Sequence, residues 1–403
     1  MRVLIVGGKL QGVEAAYLAH KAGWEVILVD RNPVVPATGL CDSFYQVDVT
    51  SEALDLTKAI KAADLIIPAL EEPIALAYLR ERVEKEGVPM AYDPAAYAIS
   101  SSKRKSALLF AKLGIPIPTP WPKCDLPVVV KPSNASGSRG VRRIDRMEGL
   151  AAFITREPNN WIIQEFLTGP SYSIEVIGVK DNFMSIQSTE IVVDSQYDCK
   201  RVLAPAGFSP TTNKKFKEIA LTIADALSLN GIMDVEAISH EGTLKVLEID
   251  ARLPSQTPTV VNKSIGINML ELLYDVFVKG YITTIPDVQH ERGVVYEHIK
   301  VSPGILEVSG EHIIANARPL KFYEHFFGAD EALTDFMPGN LSWVATLIIT
   351  GDNREEAWNK RCLVIENIRD YFRLSVYSDP APDCSEVASV KQVEEACVYP
   401  ANF

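Results

Sequence analysis

Residues 231–258, GIMDVEAISHEGTLKVLEIDARLPSQTP, set three acids into two short apolar runs joined by a turn at Glu241-Gly242. Val235, Ala237, Leu244, Val246, Leu247 and Ile249 supply the apolar strand positions, and the turn carries the polar ones. Glu248 and Asp250 are two apart and so share one face of their strand; antiparallel pairing brings Glu236 to the same face. Clustered carboxylates repel one another unless a cation joins them, and hard oxygen ligands suit Mg2+. Mg2+ held by two or three carboxylates commonly holds nucleotide phosphates as well. Arg252 follows on that face, placed to meet charge developing at a reacting carbonyl. The alternative is a solvated hairpin with scattered acids.

The chain around this hairpin has 403 residues, 47% of them apolar, enough for two or three cores. Its net charge of −12 argues against nucleic acid and against an anionic membrane surface as partners. Six cysteines at 41, 124, 199, 362, 384 and 397 have neither CxxC nor zinc spacing. They read as reduced thiols of a cytoplasmic protein, and no signal peptide or membrane-length apolar run is present.

The N-terminus opens with RVLIV, GGKLQG, a helical EAAYLAHKAG and EVILVD, the first βαβ unit of a doubly wound α/β fold. A dinucleotide fingerprint would need glycine where Lys9 stands, which weakens a nicotinamide-dependent oxidoreductase as the alternative. The turn still offers backbone N–H groups to a carboxylate or a phosphate. Alternation continues to residue 93, the expected end of this domain, with VPMAY as its last short strand. Asp48 and Glu71 fall at the carboxyl ends of strands, where such sheets bind ligands, and Glu71 suits a substrate ammonium.

A second informative stretch, LPVVVKPSNASGSRGVRRID, is a strand ending in Lys131, a small-residue loop from Ser133 to Gly140, and a returning strand. Consecutive N–H groups of such a loop form an anion nest, and Lys131 adds a compact cation. Glu165, Phe166 and Leu167 form a connector whose backbone groups suit an adenine edge, and Ser173 and Glu175 share a face of the strand after it. Residues 293–375 read as a smaller α+β lobe in which His298 and His325 are structural. The stretch after about 376 reads as a mobile tail. The expected domains are therefore 1–93, 94–284 with a lid over about 115–168, 285–376, and a tail of 377–403.

Taken in order, these motifs resemble the ATP-grasp superfamily of carboxylate–amine ligases: SK at 102–103, VVKPSNASGSRGV, QEFLTGPSYSIEV, GIMDVE and LEIDARLPSQTP. The resemblance implies a Rossmann-like first domain, a central ATP-binding domain and a small C-terminal α+β domain. It implies that Lys103 and Lys131 contact ATP phosphates under Ser136, Gly137 and Ser138, that Glu165 to Leu167 form the adenine hinge, and that Glu236, Glu248 and Asp250 hold Mg2+, with Mn2+ as a substitute. Lys131 and Arg252 are then the catalytic cations. Asp250 departs from the asparagine of many relatives, and Ser171 from a ribose-binding acid.

Within that superfamily the closer resemblance is to the ligases of pyrrolysine biosynthesis, carried by GGKLQG-x-EAAYL-x-x-KAG, YDC at 197–199, GIMDVEAI and EIDARLPSQTPTVV. It implies L-lysine and (3R)-3-methyl-D-ornithine as substrates, with D-ornithine as an analogue. Leu10, Gln11 and Glu71 would hold lysine, and Ser173, Glu175, Asp234, Arg252 and Ser255 complete the expected substrate residues. A second nucleotide near Asp30 and Asp48, a homodimer, and closure by residues 133–140 and 194–203 with Tyr197, Asp198 and Lys200 complete the expectations.

Overall fold

A computed structural model of the chain describes residues 1–135, 137–156, 160–282 and 290–382. The N-terminal sheet has four parallel strands in the order β3-β2-β1-β4, with β1 Arg2–Val6, β2 Glu25–Asp30, β3 Ser43–Gln46 and β4 Leu65–Pro68. Gly7 ends β1 at φ 108°, and a Cβ there would stand 2.2 Å from Ala69 O. Only glycine lets the first turn pass so close under the neighbouring chain. The expected VPMAY strand contracts to a single parallel bridge, Ile66 to Met90.

A separate three-stranded sheet, β6-β5-β7, falls within the stretch expected as a lid: β5 Val128–Pro132, β6 Arg142–Ile144 and β7 Trp161–Glu165. The large sheet takes β8 Ser171–Val179, β9 Asn182–Val193, β10 Cys199–Ala204, β11 Gly231–His240 and β12 Thr243–Asp250. Their side chains alternate. Ile174, Val176, Met233, Val235 and Ile249 pack on Phe216, Ala220, Ile223 and Ala224 of the Pro210–Leu227 helix. The intervening polar residues 173, 175, 234, 236, 248 and 250 therefore face the other way, so one apolar face positions the functional one. The helix itself follows from apolar spacing, a Ser209 cap whose Oγ accepts from Thr212 N at 3.1 Å, and Pro210 at its first position.

The C-terminal lobe extends this same sheet. It adds β13 Gly293–Ser302, β14 Ile305–Val308, β15 Lys321–Glu324, β16 Glu331–Thr334, β17 Trp343–Gly351 and β18 Val376–Ser378. β10 pairs antiparallel with β13, so the central and C-terminal regions are joined by strand hydrogen bonds as well as by chain. His298 is buried with Nδ1 2.9 Å from Thr346 Oγ1, and burial pushes it down to about 3, a structural histidine as expected. Among the described residues no helix is long and apolar enough to cross a membrane.

The expected tail begins later than residue 377. Strand β18 includes Tyr377, and Asp379 is anchored by Lys200 Nζ at 2.5 Å and Arg201 Nη2 at 2.7 Å. Beneath them Glu297 pairs with Arg201 and with Arg361, whose Nη2 also donates to Tyr377 Oη at 2.7 Å. Residues 383–403 lie outside the described residues. Burial works against the Asp379 charge, but Arg201 and Lys200 hold its carboxyl far below the usual carboxylate range. A depressed carboxyl stabilises the fold above its unfolded value and loses that contribution as pH falls through the folded one. Asp379→Asn is therefore expected to cost roughly 3 kcal/mol at neutral pH. Thermal melts should show a difference from wild type that holds from pH 5 to 8 and shrinks below about pH 4; an unchanged difference at acid pH would contradict it.

Candidate active site

The functional face of the large sheet carries two rows of polar side chains, each crossing three strands. Glu236 on β11 lies opposite Glu248 on β12 and Ser173 on β8. Two residues along, Asp234 lies opposite Asp250 and Glu175. Five carboxylates thus meet on one half-buried face. Burial, with Glu248 alongside, pushes Glu236 up to about 8; burial pushes Glu175 to about 7 and Asp250 to about 6. Asp234 is driven well up by burial and by Glu236, Asp250 and Glu175 around it. Glu248 alone is held low: burial opposes its charge, but Lys103 and Lys131 outweigh that.

Glu175 Oε2, Asp234 Oδ1 and Asp250 Oδ1 are buried with no hydrogen-bond partner among the described residues. Buried oxygens left unpaired are costly unless a ligand supplies the partner. This donor set, all hard oxygen, fits a divalent cation at Glu236, Glu248 and Asp250 and ammonium groups at Glu175 and Asp234.

The cations stand over the first row. Lys103 Nζ is 2.5 Å from Glu248 Oε2 and 2.8 Å from Ala135 O. Lys131, at the end of β5, is buried with Nζ 3.3 Å from Leu247 O, and burial lowers its ammonium despite Glu248. Gly137 and Ser138 follow with φ of 59° and 52°, successive left-handed residues of the kind that build an anion nest. Ser138 Oγ donates to Tyr197 O at 2.6 Å and ties the loop to the 194–198 turn. Ser136 lies outside the described residues.

Other expected site residues are placed differently from the sequence reading. The N–H of Glu165 bonds Thr119 O at 2.9 Å, and that of Phe166 bonds Pro127 O at 3.1 Å. The Glu165 carboxylate braces Lys245 and accepts from Thr119 N. The two backbone bonds occupy the N–H groups of Glu165 and Phe166, two of the three residues expected to meet an adenine edge. Lys200 points away from the site, to Asp379, where β10 bulges out of register with β9. Cys199 is half-buried, its thiol pushed well up by desolvation, and Sγ donates to Gln256 Oε1 at 3.1 Å. Asp30 accepts from Gly8 N at 2.8 Å, tying the end of β2 to the turn after β1, and from Asn32 N, while Asp48 accepts from Thr50 and closes a local turn.

Glu71 is the principal shift of role. Arg252 Nη2 is 2.6 Å from both Glu71 Oε1 and Asp250 Oδ2, and the Gln11 carboxamide lies against the same guanidinium. Burial opposes the Arg252 charge, yet these acids hold its proton more firmly than usual. Arg252 thereby bridges the first domain to the acid face.

Two cavities of about 550 and 560 Å3 meet at this bridge. One runs from Gly8, Leu10 and Gln11 along the first domain; the other holds Lys103, Ser173, Asp234, Glu236 and Glu248. Glu71, Gly137, Asp198, Arg252, Ser255 and Glu311 line both. Sequence reasoning missed Glu311 and Gln256. Glu311 sits in SGEHI, which has no motif, and reaches the site only through the β10–β13 pairing. Gln256, at φ 75° and ψ −58°, was hidden inside a recognised motif, and the polar residue before Thr257-Pro258 was the one available signal.

Comparison with known proteins places this geometry. Residues 100–256 match a family described as ATP-grasp domain, and residues 3–91 match one described as PylC-like, N-terminal domain. The 3-methyl-D-ornithine–L-lysine ligase of Methanosarcina barkeri is 37% identical over 376 residues, covering 92% of this chain and 98% of the relative. That of Methanosarcina mazei is 38% identical, covering 88% and 92%. Among solved structures, the biotin carboxylase domain of Hydrogenobacter thermophilus 2-oxoglutarate carboxylase, in complex with MgADP, ADP and bicarbonate, superposes with a TM-score of 0.69 at 14% identity, covering 91% of this chain and 89% of that one. Thermus thermophilus N5-carboxyaminoimidazole ribonucleotide synthetase gives 0.65 at 16%, covering 92% and 98%. The chain has the ATP-grasp fold and belongs to the PylC-like ligase family that includes the Methanosarcina 3-methyl-D-ornithine–L-lysine ligases.

Proposed function

We propose that this enzyme, in the cytoplasm, uses ATP to join the carboxylate of (3R)-3-methyl-D-ornithine to the ε-amine of L-lysine through an acyl-phosphate. The observation that carries the reading is the pairing of a phosphate-and-cation face with a second cavity that opens onto it beside Arg252. Likeness to the Methanosarcina ligases over nearly the whole chain supports the choice of substrates.

ATP phosphates lie against Lys103, Lys131 and the Gly137-Ser138 nest, where fixed positive charge and N–H groups offset the charge of the transferring group. Glu236, Glu248 and Asp250 would hold Mg2+, which supplies further neutralisation of the phosphate oxygens. Glu175 and Asp234, buried without a cationic side chain of their own row, take an ammonium of methylornithine and so orient its carboxylate toward the γ-phosphate. Lysine enters from the cavity of Leu10 and Gln11. Arg252 is placed to meet the tetrahedral oxyanion. The Ser138 bond to Tyr197 O holds the loop closed and keeps water from the acyl-phosphate.

Two outcomes test the reading. With Mg-ATP, D-ornithine and L-lysine, ADP and an amide with the summed mass of the two amino acids less one water should form at full rate only when both amino acids are present. ADP release indifferent to D-ornithine would remove the substrate assignment. Glu248→Gln should lower ADP release roughly 100-fold or more, since one ligand charge and the Lys103 partner are lost together. A variant with an unchanged circular dichroism spectrum and near-normal turnover would remove the metal assignment.

A further inference from the structure

Lysine's ε-ammonium has an ordinary pKa of about 10.4 and must lose a proton before it attacks. The junction of the two cavities is where the amine meets the acyl carbon, and three carboxylates line it: Glu71, Asp198 and Glu311. Glu71 is ion-paired to Arg252 at 2.6 Å. Asp198 Oδ2 accepts from His312 N at 3.0 Å and lies 2.6 Å from His312 Nδ1. Glu311 differs from both. Its Oε2 meets neutral donors, Ser255 Oγ at 3.2 Å and the Gln256 amide, and it makes no ion pair among the described residues. Its Oε1 faces the phosphate loop, 3.7 Å from where a Cβ on Gly137 would stand.

The backbone fixes this carboxylate in place. Glu311 N donates to Cys199 O at 2.8 Å, and Gly310 N to Asp194 Oδ2 at 3.0 Å. A Cβ on Gly310 would lie 2.3 Å from Asp198 Oδ2, so position 310 admits glycine alone at this approach. The Gln256 side chain that grips Glu311 belongs to a residue in the left-handed region at φ 75°, a conformation that needs such anchoring.

Resting on the ligase reading, we propose that Glu311 is the catalytic base of the second half-reaction: it binds the attacking ammonium through Oε1 and takes its proton. The ammonium gives one proton to the Glu311 carboxylate, and the freed lone pair forms the C–N bond to the acyl carbon. The tetrahedral oxyanion collapses with cleavage of the C–O bond to phosphate. The second amine proton leaves with that phosphate, as hydrogen phosphate, and Glu311 returns its proton to solvent. Cys199, Glu236 and Tyr296 beside it, Asp198 from the 194–198 turn, His312 from its own segment, and Arg252 across the cavity are the titratable and charged groups around it. Burial first, then Asp198, pushes its carboxyl up to about 7, close to the value that serves a base at neutral pH.

The test separates the two half-reactions. Full-length wild type and Glu311→Gln are given Mg-ATP and D-ornithine with either L-lysine or hydroxylamine, which is already neutral at pH 7. The expected result is that Glu311→Gln forms the hydroxamate at nearly the wild-type rate but makes the lysine amide on the order of 10²–10⁴-fold more slowly. Its amide rate should climb toward pH 10 as free lysine deprotonates, in place of the wild-type rise near pH 7. Loss of hydroxamate and amide together, with Glu311→Asp restoring neither, would assign Glu311 to holding Gln256 and overturn the proposal. Unchanged lysine ligation would also overturn it. A wild type that forms neither product would instead remove the ligase reading itself.

Discussion

Mutual repulsion among Glu175, Asp234, Glu236, Glu248 and Asp250 is the constraint that the rest of the molecule answers. Five carboxylates on one half-buried face are stable only if positive charge is delivered to them. Lys103 and Arg252 deliver it from outside the face, Lys103 from the start of the Lys103–Leu113 helix and Arg252 from the turn after β12. Lys131 stands close enough to lower Glu248 while remaining itself penalised by burial. Three of these acids still have a buried oxygen without a partner among the described residues, an arrangement that favours a cationic ligand there.

The same electrostatics ties domain to domain. Arg252 reaches Glu71 in the first domain, and Glu311 reaches Ser255 and Gln256 from the C-terminal lobe. Strand β10 carries both sides of this coupling. Lys200 and Arg201 are anchored to Asp379 on the outer side, while Cys199 O holds the Glu311 backbone on the inner side. Further along the chain, Glu14 Oε1 accepts from Thr259 N at 2.6 Å and steadies the first turn of the Thr257–Ile265 helix that follows the strained Gln256. Burial pushes Glu14 up to about 7, so this acid is a structural brace inside the fold.

How much of this was legible in the sequence depended on whether the signal was local. The acid rows were readable because a two-residue spacing in strands fixes the face, and because the Glu241-Gly242 turn fixes the pairing of β11 with β12. Lys131 and the small-residue loop were readable for the same reason. The hinge was read too simply: bonds from Glu165 and Phe166 to Thr119 and Pro127 join segments about 40 residues apart, which no spacing predicts. Glu311 and Asp379 were invisible because their roles depend on β13 and β18 reaching β10 and the edge of β14, a matter of sheet order. Glu71 was found, but its Arg252 partner could not be inferred from position alone.

The most direct test of the acid face as the cation and phosphate centre is to crystallise the protein with ADP and Mn2+ and locate the metal by anomalous scattering. The account predicts a peak about 2.1 Å from carboxylate oxygens of Glu236, Glu248 and Asp250 and from a phosphate oxygen of the nucleotide. Nucleotide bound with metal only elsewhere, for instance at Asp194, Asp198 and His312, would contradict it.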